Sequence, residues 1–290
     1  MTDEGTTVLG GDGYPPDLIA ALVRATEAAA EACRDWFGRH DKNAADAAAV
    51  AAMRAILADA PFEGTVVIGD GEKDAAPMLA NGERLGRGGP ECDIAVDPLD
   101  GTRLVAEGLP GSIAVIALAP RGTMFDPRGV FYLDKLVCGP EGTGRLDIRR
   151  SATENLAALS AARAVPIREL TVALLDKPRH ADLVAEIRNA GARVHLVGEG
   201  DVATAIAAAT PRSGIDLALG VGGTPEGVIS ACAVRALGGF IQGRLAPRDE
   251  RERESARAAG YDLARVLEGD DLVGTDRVLF VSSPVSVTLK

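Results

Sequence analysis

The chain is poor in aromatic residues, at 3% of 290 positions, so its core must be assembled from Ala, Val, Leu and Ile. Few rings are left on which bases could stack, which argues against sequence-tolerant single-strand binding. Basic charge is also in deficit: 31 Lys and Arg stand against 42 Asp and Glu, a net charge of −11. Such a surface repels nucleic acid and anionic lipid at long range, so an anionic substrate must be held by a few local basic groups or a metal. Four cysteines, Cys33, Cys92, Cys138 and Cys232, form no C-x-x-C pair, which removes zinc knuckles and redox dithiols and leaves reduced thiols as the expectation. No run of about 18 apolar residues is present to span a membrane, and the acidic N-terminus lacks the apolar segment of a signal peptide. The composition therefore points to a cytoplasmic, globular protein with neither a nucleic acid nor a membrane as its partner.

The pattern along the chain reads as α/β. Residues 1–16, rich in Gly, Asp and Pro, are expected to form a loose arm. Two helical runs follow, DLIAALVRATEAAAEACRDWFGRH and DKNAADAAAVAAMRAILADA, then the strands TVVIG, DIAV and GSIAVIALAP. Beyond Ala164 strands and helices alternate regularly to FIQGRL, a rhythm that predicts parallel βαβ units. Two α/β halves are expected, one over 17–160 and a smaller one over 161–290. The charged run APRDERERESARAAG reads as a solvated helix or loop.

Chemistry is concentrated in CDIAVDPLDGT, where Asp93, Asp97 and Asp100 crowd into eight residues. Half-buried carboxylates repel one another and are costly to desolvate unless a cation lies between them. Asp97 is expected to end a strand, with Pro98 stopping the ladder. Asp100-Gly101-Thr102 then turns into a helix N-terminus, whose backbone N–H groups suit an anion. Asp70 and Glu72 in IGDGEKD also follow a strand, and Asp46 lies near a helix start, although Asp-Gly alone marks a turn and an acid at a helix start needs no ligand to explain it. Carboxylates without His or Cys select hard cations, Mg²⁺ or Mn²⁺. GVGGTP after a strand is no dinucleotide fingerprint, because Pro225 replaces the third glycine and Phe240 stands where an acid is needed.

DKNAADAAAVAAMR, VVIGDGEKDAAPML, DIAVDPLDGTRLVAEG, LDKPRHADL and GVGGTPEGVISACAVRALGGFIQGRL together resemble the class II fructose-1,6-bisphosphatases. That family is a branch of the lithium-sensitive, metal-dependent sugar phosphatase superfamily. The resemblance implies a layered αβαβα sandwich and hydrolysis of the 1-phosphate of fructose 1,6-bisphosphate. It also implies a homo-oligomer. By position it implies metal ligands at Asp46, Asp70, Asp97, Asp100 and Glu226, and a water-orienting hydroxyl at Thr102. Gly101, Thr102, Tyr132, Lys177, Arg179, His180, Gly200, Asp201 and Gly223 fall where the sugar bisphosphate is held. Where the family reads G-E-G-E and D-P-x-E-G-T, this chain has Asp at 70 and 100. The family also runs on past the strand that RVLFVSSPVSV resembles. A relative acting on another sugar bisphosphate, such as sedoheptulose 1,7-bisphosphate, and a non-catalytic sugar-phosphate-binding regulator are the alternatives.

Overall fold

A computed structural model describes residues 5–69, 79–127 and 130–285. In chain order its elements are β1 (Thr7–Gly10), α1 (Pro16–Ala32), α2 (Lys42–Leu57), β2 (Glu63–Ile68), β3 (Arg84–Leu85), β4 (Glu91–Asp100), α3 (Thr102–Glu107) and β5 (Ile113–Pro120). There follow β6 (Tyr132–Cys138), α4 (Ala152–Arg163), β7 (Thr171–Leu175), α5 (Ala181–Asn189), β8 (Arg193–Val197), α6 (Asp201–Ala209) and β9 (Leu217–Gly223). The chain continues through α7 (Thr224–Ala236), β10 (Phe240–Leu245), α8 (Glu250–Ala258), β11 (Leu267–Glu268), α9 (Gly269–Leu272) and β12 (Leu279–Pro284). Among the described residues the class is mixed α/β, with two six-stranded sheets.

Two compact units divide the chain, one of residues 1–126 with 273–290, the other of 127–272. The division expected near residue 160 differs because β6 is not the tail of the first half. It pairs with both β9 and β10 and so lies inside the second sheet, while β12 returns to pair with β5 in the first. Residues 7–10, expected to belong to a loose arm, are strand β1, paired antiparallel with β12.

In the first unit the strand order is β1-β12-β5-β4-β2-β3. Proline at the first turn suits the start of α1, and the Asp41 side chain caps α2 by accepting from the Ala44 N–H at 3.0 Å. Both helices present alanines inward: Ala21, Ala25 and Ala29 of α1 and Ala45 and Ala49 of α2 are buried. Such small side chains allow close approach of the helices, which is how a core poor in aromatics still packs densely. Phe62 and Phe280 are its largest fully buried side chains.

In the second unit the order is β11-β10-β6-β9-β7-β8. Here β7 runs parallel to both β8 and β9, whereas β6 is antiparallel to β9 and to β10. The expected all-parallel rhythm thus fails at β10, which pairs with a strand far upstream rather than with β9. A capping box starts α4: Ser151 Oγ accepts from the Glu154 N–H, and the Glu154 carboxylate accepts from the Ser151 N–H.

Candidate active site

Pro98 does not end β4, contrary to the sequence reading. Asp97 stands opposite Val115 and Asp100 opposite Ile113, so three steps on β4 match two on β5 and a β-bulge lies between. Proline has no N–H to offer a ladder, and a bulge is a position where none is required. Residues three apart in a regular strand point to opposite faces. The one-residue bulge restores parity and places the Asp97 and Asp100 side chains on the same face of the sheet. One Asp97 oxygen accepts from the Leu99 N–H at 3.0 Å, which fixes the carboxylate across the bulge. Asp97 is half-buried and Asp100 buried.

Gly101 follows in the left-handed region, with φ 92° and ψ 44°, a conformation that favours glycine. Its carbonyl accepts from Ser112 Oγ at 2.8 Å, which ties the turn to the start of β5. Thr102 then opens α3, as the sequence suggested, with a half-buried side chain. Asp46, on the first turns of α2, belongs to the same unit; α2 packs against β4 and α3. Its carboxylate adds to the effect of burial in pushing the Cys33 thiol up to about 12.

Asp93, the third acid of the cluster, serves the fold. It is buried, one of its oxygens accepts from the Thr123 and Met124 N–H groups at 2.9 and 3.1 Å, and Arg121 lies 3.7 Å away. Asp70 and Glu72 lie outside the described residues. Among the described residues no three His, Cys, Asp or Glu side chains gather to hold a metal, so Asp46, Asp97 and Asp100 do not close a site by themselves. Their chemistry nonetheless fits a hard divalent cation: the donors are all oxygen, and two of them project from one sheet face at a fixed spacing.

The other expected site residues lie in the second unit, around the C-terminal end of β9. A Cβ on Gly222 would run into the Asp201 carboxylate and the Lys135 ammonium, and one on Gly223 into the Glu226 carboxylate. The bare backbone of G-V-G-G thus leaves room for charged groups rather than for a dinucleotide. Asp201 and Lys135 form a buried ion pair, and Gly200, at φ 93°, caps α6 directly before Asp201. Glu226 is in the first turn of α7, whose N-cap is Gly223. The buried Thr224 hydroxyl has no hydrogen-bond partner among the described residues.

His180 is buried, with both ring nitrogens committed to backbone. Nδ1 lies 2.7 Å from the Leu175 carbonyl oxygen and Nε2 accepts from the Val221 N–H at 2.9 Å. Since Nε2 accepts, Nδ1 carries the proton, and the ring is a neutral clamp between the KPRH turn and β9. Next to it, Arg179 donates from Nε and Nη2 to the Val221 carbonyl, at 3.0 and 2.6 Å, and stacks 5.3 Å from the Tyr132 ring centre. Lys177, half-buried, precedes the same turn. Tyr132 pairs with Gly223 across β6 and β9, so the ring and the Glu226 turn share one strand end.

Sequence reasoning missed two residues here. Lys135 interrupts the apolar strand YLDKLVC, and a lysine in a buried register demands an acid partner, a signal available had that strand been read. Arg248, in the charged run read as solvated, stacks on Phe131 and Tyr132 at 5.1 and 5.5 Å; only α8, which follows it, fits the solvated description.

A bulge that aligns two aspartates ahead of Gly101-Thr102, and a basic turn on a tyrosine, are the parts a phosphatase needs, and comparison with known proteins decides which one. The model of the family described as bacterial fructose-1,6-bisphosphatase, glpX-encoded, matches residues 16–288. The chain belongs to that family. It is 40% identical over 284 residues to fructose-1,6-bisphosphatase 1 class 2 of Escherichia coli K12, covering 93% of this chain and 84% of the relative. Identity and coverage are the same with the fructose-1,6-bisphosphatase class 2 of Shigella flexneri. Family membership makes the chain a phosphoric monoester hydrolase.

Proposed function

We propose that this class II family member removes the 1-phosphate of fructose 1,6-bisphosphate, giving fructose 6-phosphate and phosphate, with Mg²⁺ or Mn²⁺ as cofactor. The observation that carries the reading is the bulge at Pro98-Leu99, which gives Asp97 and Asp100 a common face directly before Gly101-Thr102. In this reading Asp46, Asp70, Asp97, Asp100 and Glu226 hold the metal. When bound, divalent ions neutralise phosphate oxygens and lower the pKa of a water. The Thr102 hydroxyl aligns the attacking water in line with the leaving oxygen, fixed in place by the Gly101 turn.

Substrate is held at its other end by Tyr132, Lys177 and Arg179. Arg179 is suited to this because its Nε edge is spent on the Val221 carbonyl, so the guanidinium is fixed before substrate arrives. Asp201, paired with Lys135, accepts sugar hydroxyls, with Gly200 and Gly223 giving the sugar close access to the backbone. His180 acts on substrate through the turn it clamps. We place the enzyme in the cytoplasm, in gluconeogenic carbohydrate metabolism and as a homo-oligomer. Among the described residues no helix is long and apolar enough to cross a membrane.

The test is phosphate release from fructose 1,6-bisphosphate, sedoheptulose 1,7-bisphosphate, fructose 6-phosphate and inositol 1-phosphate, with each metal and after chelation. Preference for fructose 1,6-bisphosphate by kcat/KM supports the reading. Turnover of only another substrate, or turnover that survives chelation, contradicts it.

A further inference from the structure

Two guanidiniums, not one, stack on Tyr132. Arg179 reaches the ring from the KPRH turn, and Arg248 reaches it from the segment between β10 and α8. These arms are far apart in sequence, and each is anchored independently. Arg179 is held by the Val221 carbonyl. Arg248 is held by the buried Glu252, which accepts from Arg248 Nε at 2.6 Å and from the Arg248 N–H at 2.8 Å. The Asp249 side chain in turn accepts from the Glu252 N–H at 2.9 Å, so the cap of α8 holds in place the acid that anchors Arg248. Just upstream, the Ala246 N–H donates to the Tyr132 carbonyl at 2.8 Å and fixes the segment against the ring-bearing residue.

Glu252 occupies the Nε and Nη2 edge of Arg248, and Nη1 has no protein partner among the described residues. The side chain remains about half exposed, at 52%. In a chain of net charge −11, two pre-fixed guanidiniums on one tyrosine form a local cationic spot with donors to spare. A planar fork with a remaining N–H edge matches the oxygens of a phosphate dianion. A lone arginine paired to an acid is an ordinary surface salt bridge. Two that converge from separate loops on the same ring constitute a subsite.

We propose that Arg248 is a specificity-determining residue that binds the distal phosphate of the sugar bisphosphate together with Arg179. The proposal rests on the reading that Tyr132 and Arg179 face the substrate. It assigns to Arg248 and its Glu252 anchor the discrimination between sugars that carry a second phosphate and those that do not.

The experiment compares Arg248→Met, Arg248→Lys and Arg179→Met with the unaltered enzyme. It measures kcat and KM for fructose 1,6-bisphosphate and the inhibition constants of fructose 6-phosphate and of inorganic phosphate. Loss of one charge-assisted contact to phosphate is expected to raise KM in Arg248→Met roughly ten- to a hundredfold with kcat little changed. The inhibition constant of fructose 6-phosphate, which keeps the distal phosphate, should weaken in step, and Arg248→Lys should recover part of both. If Arg179→Met raises KM and Arg248→Met does not, the proposal fails while the reading of the subsite stands. If neither changes KM in an enzyme that turns over the bisphosphate, the subsite lies elsewhere and both fail. A parallel fall of kcat and Tm in Arg248→Met, with KM unmoved, makes the residue structural and overturns the proposal.

Discussion

Asp97 and Asp100 are three residues apart on β4, yet they face Val115 and Ile113, which are two apart on β5. The extra residue is absorbed by the bulge at Pro98-Leu99, and with it two carboxylates that would point to opposite faces come to share one. This is how the D-P-x-D spacing becomes a site: the proline forbids a regular ladder and so selects the register that aligns the acids.

Asp97→Asn and Asp100→Asn should therefore leave the fold intact and lower kcat by roughly a thousandfold or more, the scale expected when a group acting on transition-state charge is lost. Steady-state kinetics with circular dichroism check this. Activity within a few fold of the unaltered enzyme in either variant would remove that residue from the metal site.

Asp93 should behave in the opposite way. Its removal leaves the Thr123 and Met124 N–H groups without their acceptor and deprives Arg121 of its counter-charge, although Arg121 keeps its bonds to the Cys92 and Glu63 carbonyls. Asp93→Ala is expected to cost about 2–4 kcal/mol of stability, the range for breaking a buried, charge-assisted network, while kcat stays unchanged wherever the protein is folded. Denaturant unfolding alongside the assay separates the two effects.

The His180 clamp gives a second stability prediction. His180→Ala abandons the Val221 N–H and the Leu175 carbonyl and opens a cavity between β7 and β9. A loss of about 2–4 kcal/mol is expected, from unsatisfied polar groups and lost packing together. KM should rise as well, because Arg179 hangs on the same Val221. A variant with unaltered Tm and raised KM would mean that His180 contacts substrate directly.

Alkaline pH should destabilise the protein through its buried thiols. Burial pushes Cys33 and Cys138 from the ordinary 9.0 up to about 12, with Asp46 and Glu141 adding to it, and burial likewise raises Cys92 to about 11. Above pH 9 the unfolded chain sheds these protons while the folded one keeps them. Stability is therefore fully present below about pH 9 and is lost toward pH 11–12, at about 1.4 kcal/mol per pH unit for each such thiol. Urea midpoints at pH 8 and 10 test this, and Cys33→Ala with Cys138→Ala should flatten the slope. Native thiols should also resist alkylation at pH 8; rapid labelling of Cys33 would refute its burial.

Much of this was legible in the sequence because local rules and tertiary context agree. The apolar period gave α1, α2 and the run from β7 to β10, and Asp-Gly-Thr gave the entry to α3. What failed was long-range pairing. Nothing in YLDKLVC says that β6 will pair with β9 and β10, or in FIQGRL that β10 will run antiparallel, because partners distant in sequence leave no local trace. The same limit hid Arg248, since its partners Phe131 and Tyr132 are over a hundred residues upstream, and it hid the bulge, which is a property of two strands and not of one. Among the acids, burial did not separate Asp93 from Asp100, which is buried too; the Thr123 and Met124 N–H groups that donate to Asp93 did, and they lie about thirty residues downstream. Asp70 and Glu72 remain expectations, as they lie outside the described residues.

The central claim is that the aligned aspartates and Thr102 form a metal-dependent phosphatase centre acting on fructose 1,6-bisphosphate. The most direct measurement is phosphate release from that sugar with Mg²⁺ or Mn²⁺, for the unaltered protein and for Thr102→Ala. The expected result is turnover that chelation abolishes, that either metal restores, and that Thr102→Ala lowers by roughly a hundredfold or more. Equal rates in the two proteins, or no phosphate released by the folded, metal-loaded enzyme, would contradict it.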